Sequence, residues 1–416
     1  MNEERRAARL KEAVLASFHE PAPSVEARLR EFGARDWSRA KYWLDVSGLA
    51  LYFLARIEAM ALLACLPRSV ISQLQTNLKE NRQRTEALLS EAVEITHALR
   101  ALNIECAVLK GITFPSESVP DPALRNQMDI DLLIRKADLR ATEKCLARFG
   151  YALAAVGERT WEFKAGPCGT SSLKNLYQER PERALEVHLE SQQLQVGRGD
   201  RLARSEWRLM QSCWLAALDP ADIFVLQGQH LFKHMCSEYT RASWVLEFWR
   251  HICGRRNDTG FWGQVESLAM EQPGAAMAVG AAVLLASLIF GQCAPAELAG
   301  WSVDKLPAGV CLWIQLYGRR VLISGRPGSK LYLLLRKELN IGADAGRTEL
   351  RRLLVPLHWP PKITKAGLNE SRFERTRRFW IQTRFAARRL HFHVSQGLVF
   401  AVESTRWQRR NGGLPQ

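Results

Sequence analysis

The run 126-NQMDIDLLIRK-136 limits this chain more than any other segment. Met128 to Ile134 reads as a strand, and two aspartates, Asp129 and Asp131, stand two apart inside it. Alternate side chains of a strand share a face, so both carboxylates point one way while Ile130 and Leu132 point into the core. Carboxylates about 7 Å apart on one face repel each other when both are ionised. A solvated strand end makes that repulsion cheap. A divalent cation bound between them removes it.

Around this strand the hydrophobic pattern changes twice. The first hundred residues read as helix, with apolar residues at three and four spacing in LALYFLARIEAMALLACL and again in QTNLKENRQRTEALLSEAVEITHALRAL, and Asn103 as the stop. Glu105 to Leu109 is then a short strand closed by Lys110-Gly111. Lys136 to Phe149 is an amphipathic helix with Gly150 as its cap. Tyr151–Val156, Trp161–Lys164 and Ala184–Leu189 read as further strands. Helices return near Pro220: Ile223 to His251 is helical with a break near Ser237, and more follow to about Leu335. The expected organisation is a helical region over 1–100, an α/β core over 101–215, a helical domain over 216–335 and a basic, aromatic C-terminal region over 336–416. A chain of 416 residues has room for these parts and for a sizeable core.

Composition bounds the partners. Hydrophobic residues are 47% and charged residues 24%, as in ordinary soluble proteins. Residues 347–416 hold fifteen Lys and Arg against four Glu, a net +11 of the chain's +15. A polyanionic partner therefore belongs to the tail rather than to the body. Nine scattered cysteines with no C-x-x-C pair argue against a disulfide framework or a zinc knuckle, and for a reducing compartment. The start, MNEERRAARLKEAV, lacks the apolar core of a signal peptide. Residues 274–291 are uncharged for 18 residues, but they are rich in Ala and Gly and bracketed by Pro273 and Pro295. A buried helix is expected there rather than a membrane span. The expected home is the cytoplasm.

Three neighbours bear on the aspartate pair. Leu109-Lys110-Gly111 is a strand-to-turn step where a glycine lets backbone N–H groups approach phosphate, with the positive end of a helix beginning nearby. Lys110 and Thr113 are within reach of phosphate oxygens there. Arg125, four residues before Asp129, is a clamp for phosphate or carboxylate, or else an exposed loop arginine. In 185-LEVHLE-190, Glu186 and His188 alternate onto one strand face as the aspartates do. Magnesium takes hard oxygen ligands and usually only one or two carboxylates, leaving positions for phosphate oxygens. A third carboxylate can hold a second metal or act as base on an acceptor hydroxyl.

The order LKG, R-x-x-x-DIDLL, a helix ending in Gly150-Tyr151 and an acidic-x-His strand resembles the DNA polymerase β-like nucleotidyltransferase superfamily. It is most similar to a bacterial family labelled uncharacterised nucleotidyltransferase, over roughly residues 40 to 300. The resemblance extends to 230-HLFKHMCSEYTRASWVLEFWR-250, through His230, Lys233-His234, Arg241, Trp244 and Glu247, and to Pro67 and the Asn81-to-Arg84 segment. Glu186 and Glu247 stand where the wider superfamily usually carries aspartate. The resemblance implies an α+β fold with a small mixed, polymerase β-like sheet flanked by helical regions. It implies transfer of an NMP from a nucleoside triphosphate to an unknown acceptor, with release of pyrophosphate. Asp129, Asp131 and Glu186 would be catalytic and hold Mg²⁺ (or Mn²⁺). Lys110, Gly111, Thr113, Arg125, His188, Lys233 and His234 would bind the nucleotide.

Other readings stay open. HLFKH at 230–234 lacks the glutamate of H-E-x-x-H, which excludes a zinc protease, so Lys233 and His234 either face the nucleotide or end a packed helix. No Walker A loop, GxGxxG or GxSxG is present. From Glu370 to Arg389, arginines interleave with Phe373, Phe379, Trp380 and Phe385. That mix suits nucleic acid, an anionic membrane surface, or packing on the body. The alternatives to an enzyme are a catalytically decayed nucleotide- or nucleic-acid-binding protein and an accessory protein of envelope polysaccharide synthesis.

Overall fold

A computed structural model describes residues 3–167, 175–179, 182–190, 200–210, 213–325, 328–339, 352–354 and 371–411. Two compact units form, one from residues 1–232 with 241–305 and the other from residues 233–240 with 306–416.

The first unit opens with the expected helices: α1 (Glu3–Ala16), α2 (Ala22–Leu29), α3 (Ala34–Ser47), α4 (Ala50–Ala59) and α5 (Arg68–Ala101). The helical pattern of residues 49–66 is interrupted after α4, where Ala61 takes φ +58° and a 3₁₀ turn covers Leu63–Cys65. Pro67 then caps α5, since a residue without an N–H cannot carry a preceding helix onward. α5 stops where expected, with Asn103 at φ +57°.

A mixed seven-stranded sheet follows in the order β3-β4-β5-β2-β1-β7-β6 among the described residues. Its strands are β1 (Cys106–Leu109), β2 (Asp129–Arg135), β3 (Ala152–Val156), β4 (Thr160–Ala165), β5 (Arg183–Glu190), β6 (Glu206–Met210) and β7 (Cys213–Ala217). β2 is central, antiparallel to β1 and parallel to β5. Its Ile130, Leu132 and Ile134 pack under Ala92, Ile95 and Leu99 of α5 and under Leu146 of α6 (Leu139–Arg148). On the other face Leu133 joins Ala107, Leu109, Phe114 and Ile223 in a second core. A strand covered on both sides reads as a nearly continuous apolar run. Its two ends, Asp129 and Arg135, are half-buried, while Asp131 is buried within the strand.

Two details differ from the sequence reading. The helix expected from Lys136 starts as a 3₁₀ turn over Lys136–Asp138, with α6 proper from Leu139, and Gly150 at φ +81° ends it as expected. The hairpin of β6 and β7 is not among the strands expected from the sequence. The two residues between its strands, Gln211 and Ser212, lack the Gly, Asn or Asp that announces a tight hairpin.

Helices then return as α7 (Pro220–Met235), α8 (Ala242–Gly254), α9 (Thr259–Glu271), α10 (Ala275–Phe290) and α11 (Ala296–Trp301). The break expected near Ser237 is the gap between α7 and α8. The apolar stretch at 274–291 is the buried α10, whose Phe290 meets Phe18, in the turn after α1, edge-on at 5.9 Å. Among the described residues no helix is long and apolar enough to cross a membrane. The described cysteines are free thiols.

The second unit contains α12 (Ala308–Trp313), a π-helical turn (Ile314–Gly318), α13 (Arg319–Ile323), α14 (Tyr332–Glu338) and a 40-residue helix, α15 (Arg372–Asn411).

Candidate active site

The parallel pairing of β2 with β5 builds the site. Asp131 stands in register with Glu186, and Leu133 with His188. Neighbours in register share a face, so Asp129, Asp131, Glu186 and His188 converge on one side of the sheet, at the open end of the second core. Asp131 Oδ1 accepts hydrogen bonds from Lys110 Nζ at 2.9 Å and from His188 Nε2 at 2.7 Å. His188 Nε2 also lies 3.5 Å from Glu186 Oε2. One donor atom each from Asp131, Glu186 and His188 can be chosen so that all lie within 4.8 Å of one another.

The electrostatics separate the two aspartates. Burial pushes the Asp129 carboxyl up, and the negative charges of Asp131 and Glu186 push it further. Burial acts on Asp131 in the same sense, but the hydrogen bond from His188 and the charge of Lys110 outweigh it and hold Asp131 below the usual carboxylate range. Burial lowers His188, yet its hydrogen bonds to Asp131 and Glu186 bring it out above an ordinary histidine. Two carboxylates and an imidazole thus crowd one spot, partly neutralised by one ammonium, with Asp129 near enough on the same face to feel their charge but outside that close group. Such a donor set fits a divalent cation: its oxygens suit Mg²⁺, and its imidazole suits a transition metal better.

The turn after β1 is shaped by Gly111. Its φ is +44°, and a Cβ there would fall on the Gln127 amide, 1.5 Å from Oε1. Gln127 Nε2 in turn donates to Asp129 O at 2.8 Å, so the glycine lets the turn close against the start of β2. Thr113 is buried, and its hydroxyl donates to Lys110 O at 2.9 Å and to Val108 O at 3.2 Å. These bonds brace the turn from within. The helix expected to begin here is a single 3₁₀ turn, Gly111–Thr113, too short to present a positive end.

Arg125 is not an exposed loop residue. Its Nε lies 3.3 Å from Glu247 Oε2, its Nη1 donates to Gln127 Oε1 at 3.1 Å, and its guanidinium covers the Phe114 ring at 5.1 Å. Glu247 of α8 is buried and also accepts from the Tyr52 hydroxyl of α4 at 2.9 Å. Helices from both sides of the sheet in sequence therefore meet at one carboxylate beside the site. The loop leading into β2 is braced from α5, where Asn81 Nδ2 donates to Arg125 O at 3.0 Å and Arg84 Nη2 to Asn126 Oδ1 at 2.7 Å.

Lys110, Gly111, Thr113, Arg125, Asp129, Asp131, Glu186 and His188 are thus brought together in the first unit. Lys233 and His234 close α7 and belong to the second unit. Sequence reasoning did not single out Gln127, Tyr52 or Thr160. Thr160 of β4 stands in register with His188, its Oγ1 3.4 Å from Nδ1, and Glu162 stands in register with Glu186. The same period of two that marks Glu186 and His188 marks Thr160 and Glu162. Gln127 sits in an irregular loop with no periodic signal.

A family model described as "Uncharacterised nucleotidyltransferase" matches residues 33–291. No curated protein matches the chain. Among solved structures, an antigenic nucleotidyltransferase-like protein from Paracoccidioides brasiliensis aligns with 47% of this chain and 93% of its own, at 14% identity and a TM-score of 0.31. That likeness is too slight to bear on fold or function. The family match spans α3 to α10 and with them every element that builds the site, and by it the chain belongs to the uncharacterised nucleotidyltransferase family.

Proposed function

We propose that the chain is a metal-dependent nucleotidyltransferase acting through the face shared by β2 and β5. The observation that carries this reading is the convergence of Asp131, Glu186 and His188 in parallel register, with Lys110 on the same Asp131 oxygen. Asp129, Asp131 and Glu186 would hold Mg²⁺ or Mn²⁺, and His188 and Lys110 orient Asp131. A bound divalent cation neutralises a triphosphate and polarises its phosphorus. Lys110 and the Gly111 turn bind phosphate oxygens, and Arg125, kept in place by Glu247, adds its charge beside Asp129. Glu186 would either complete the metal site or, in its place, take the proton of an acceptor hydroxyl. The acceptor oxygen bonds to the α-phosphorus as the bond to pyrophosphate breaks, so the NMP passes to the acceptor.

The same reading carries a polymerase β-like core over 101–215 between helical regions, a bacterial source and a cytoplasmic home. Lys233 and His234 are proposed to serve the nucleotide or the acceptor. One observation favours a binding-only protein instead: an internal ammonium, Lys110, already sits on Asp131. Binding of each ribonucleoside triphosphate, with and without Mg²⁺, tests the two together in the wild type and in Asp129→Asn/Asp131→Asn. Magnesium-dependent binding lost in the folded variant supports the enzyme. Binding indifferent to both metal and substitution supports the decayed site.

A further inference from the structure

The second unit presents a feature the proposed chemistry does not use. α15 is anchored along one side: Glu403 is buried and accepts from Arg320 Nη1 at 2.8 Å and from the Tyr317 hydroxyl at 3.3 Å. Buried Trp407 and Phe392 lie on the same side, with the Trp407 ring 6.1 Å from Tyr317 and Arg389 3.3 Å from Glu238. The opposite side is apolar and exposed. Leu390, Val394, Leu398 and Val402 recur every four residues and so form one stripe, with Leu398 at 66% exposure. Phe373 and Trp380 lie whole heptads before Val394 and extend the stripe towards the helix start, with Trp380 at 68% exposure.

Charge identifies the occupant. α15 carries ten arginines against Glu374 and Glu403, and Glu403 is already spent on Arg320. Exposed Arg377, Arg384 and Arg388 flank the stripe in its first half, and Arg406, Arg409 and Arg410 close the helix. A second copy of this helix, parallel or antiparallel, would bring like charges together. Nucleic acid would meet the arginines, but Leu390, Val394, Leu398 and Val402 have no flat face on which a base can stack. An aliphatic stripe with an aromatic end and flanking arginines suits acyl chains beneath acidic headgroups.

We infer that α15 is a membrane-surface helix that seats this protein on an anionic lipid bilayer, lying in the interface without crossing it. The helix lies outside the residues that build the nucleotide site, so the inference stands apart from the proposed activity.

The test is flotation of the full chain with vesicles of phosphatidylcholine alone and of phosphatidylcholine with about one third phosphatidylglycerol. The wild type is expected to favour the anionic vesicles by about tenfold or more. Val394→Asp/Leu398→Asp, with helicity and melting unchanged by circular dichroism, is expected to lose about tenfold. Arg377→Gln/Arg384→Gln/Arg388→Gln should lose a similar amount and most of the salt dependence. Should the aspartate variant fail to fold, brominated lipids provide a second measure: they should quench wild-type fluorescence by an amount that Trp380→Phe removes. Flotation with neither vesicle would overturn the inference. So would a wild-type dimer that Val394→Asp/Leu398→Asp turns to monomer, or single-stranded RNA binding that this variant leaves unchanged while vesicle binding is absent.

Discussion

His188 Nε2 lies 2.7 Å from Asp131 Oδ1, across two parallel strands that are in register along their whole paired length. Neither residue makes the site alone. Asp131 without His188 and Lys110 would be a buried carboxylate beside Asp129, with like charges and little water to separate them.

That pairing predicts a metal response that needs no turnover. Mn²⁺ binding, followed by the electron paramagnetic resonance of the free ion, should weaken about a hundredfold in Asp131→Asn and about tenfold in His188→Gln. Unchanged affinity in both variants would remove Asp131 and His188 from any metal site.

Gly111 predicts a steric coupling. Alanine there is strained at φ +44° and meets the Gln127 amide, so Gly111→Ala should cost about 2 kcal/mol in urea unfolding. Gln127→Ala clears the space, so the double variant should be more stable than the two single losses added together. Strict additivity would mean that the strain lies in the backbone alone.

Glu247 predicts unequal losses. Glu247→Gln leaves the Arg125 guanidinium buried without its counter-charge and should cost about 3 kcal/mol. Tyr52→Phe removes one hydrogen bond to the same carboxylate and should cost about 1 kcal/mol. Equal denaturation midpoints for the two variants would contradict a charged brace at this position.

His251 predicts part of the acid limb of stability. Burial, and then the charge of Arg255, hold its imidazole down to about 3, against 6.5 for an ordinary histidine. Between those values the unfolded chain binds a proton that the folded chain refuses. Stability therefore falls as pH drops from about 6.5 towards 3, by up to about 1.4 kcal/mol per unit from this group. His251 Nδ1 lies 3.0 Å from Gln227 Oε1, and an asparagine amide can replace that donor. Urea midpoints at neutral and mildly acidic pH should differ less in His251→Asn than in the wild type.

The strands that carry the chemistry were legible because each pairs a period of two with a polar interruption. DIDLL and LEVHLE both advertise carboxylates on one face of a buried strand. The buried α10 was legible from its composition and its flanking prolines. The β6–β7 hairpin was not, because its turn carries no glycine or asparagine and its strands are partly exposed. Arg125 shows the limit more sharply. From the sequence it was either a clamp or a loop residue, and its partner Glu247 and the Tyr52 that donates to Glu247 lie 122 and 73 positions away.

The sequence by itself determined residue chemistry and local conformation: which residues are helix, which alternate on a strand, where glycine permits a left-handed turn and where the positive charge collects. These follow from side-chain size, backbone freedom and spacing along one segment. Only the tertiary structure decided which strand lies beside which, and hence that Glu186 faces Asp131, that His188 and Lys110 share one carboxylate oxygen, and that Thr113 spends its hydroxyl on the backbone. Pairing of strands more than fifty residues apart depends on burial summed over the whole sheet, and no local pattern encodes that sum.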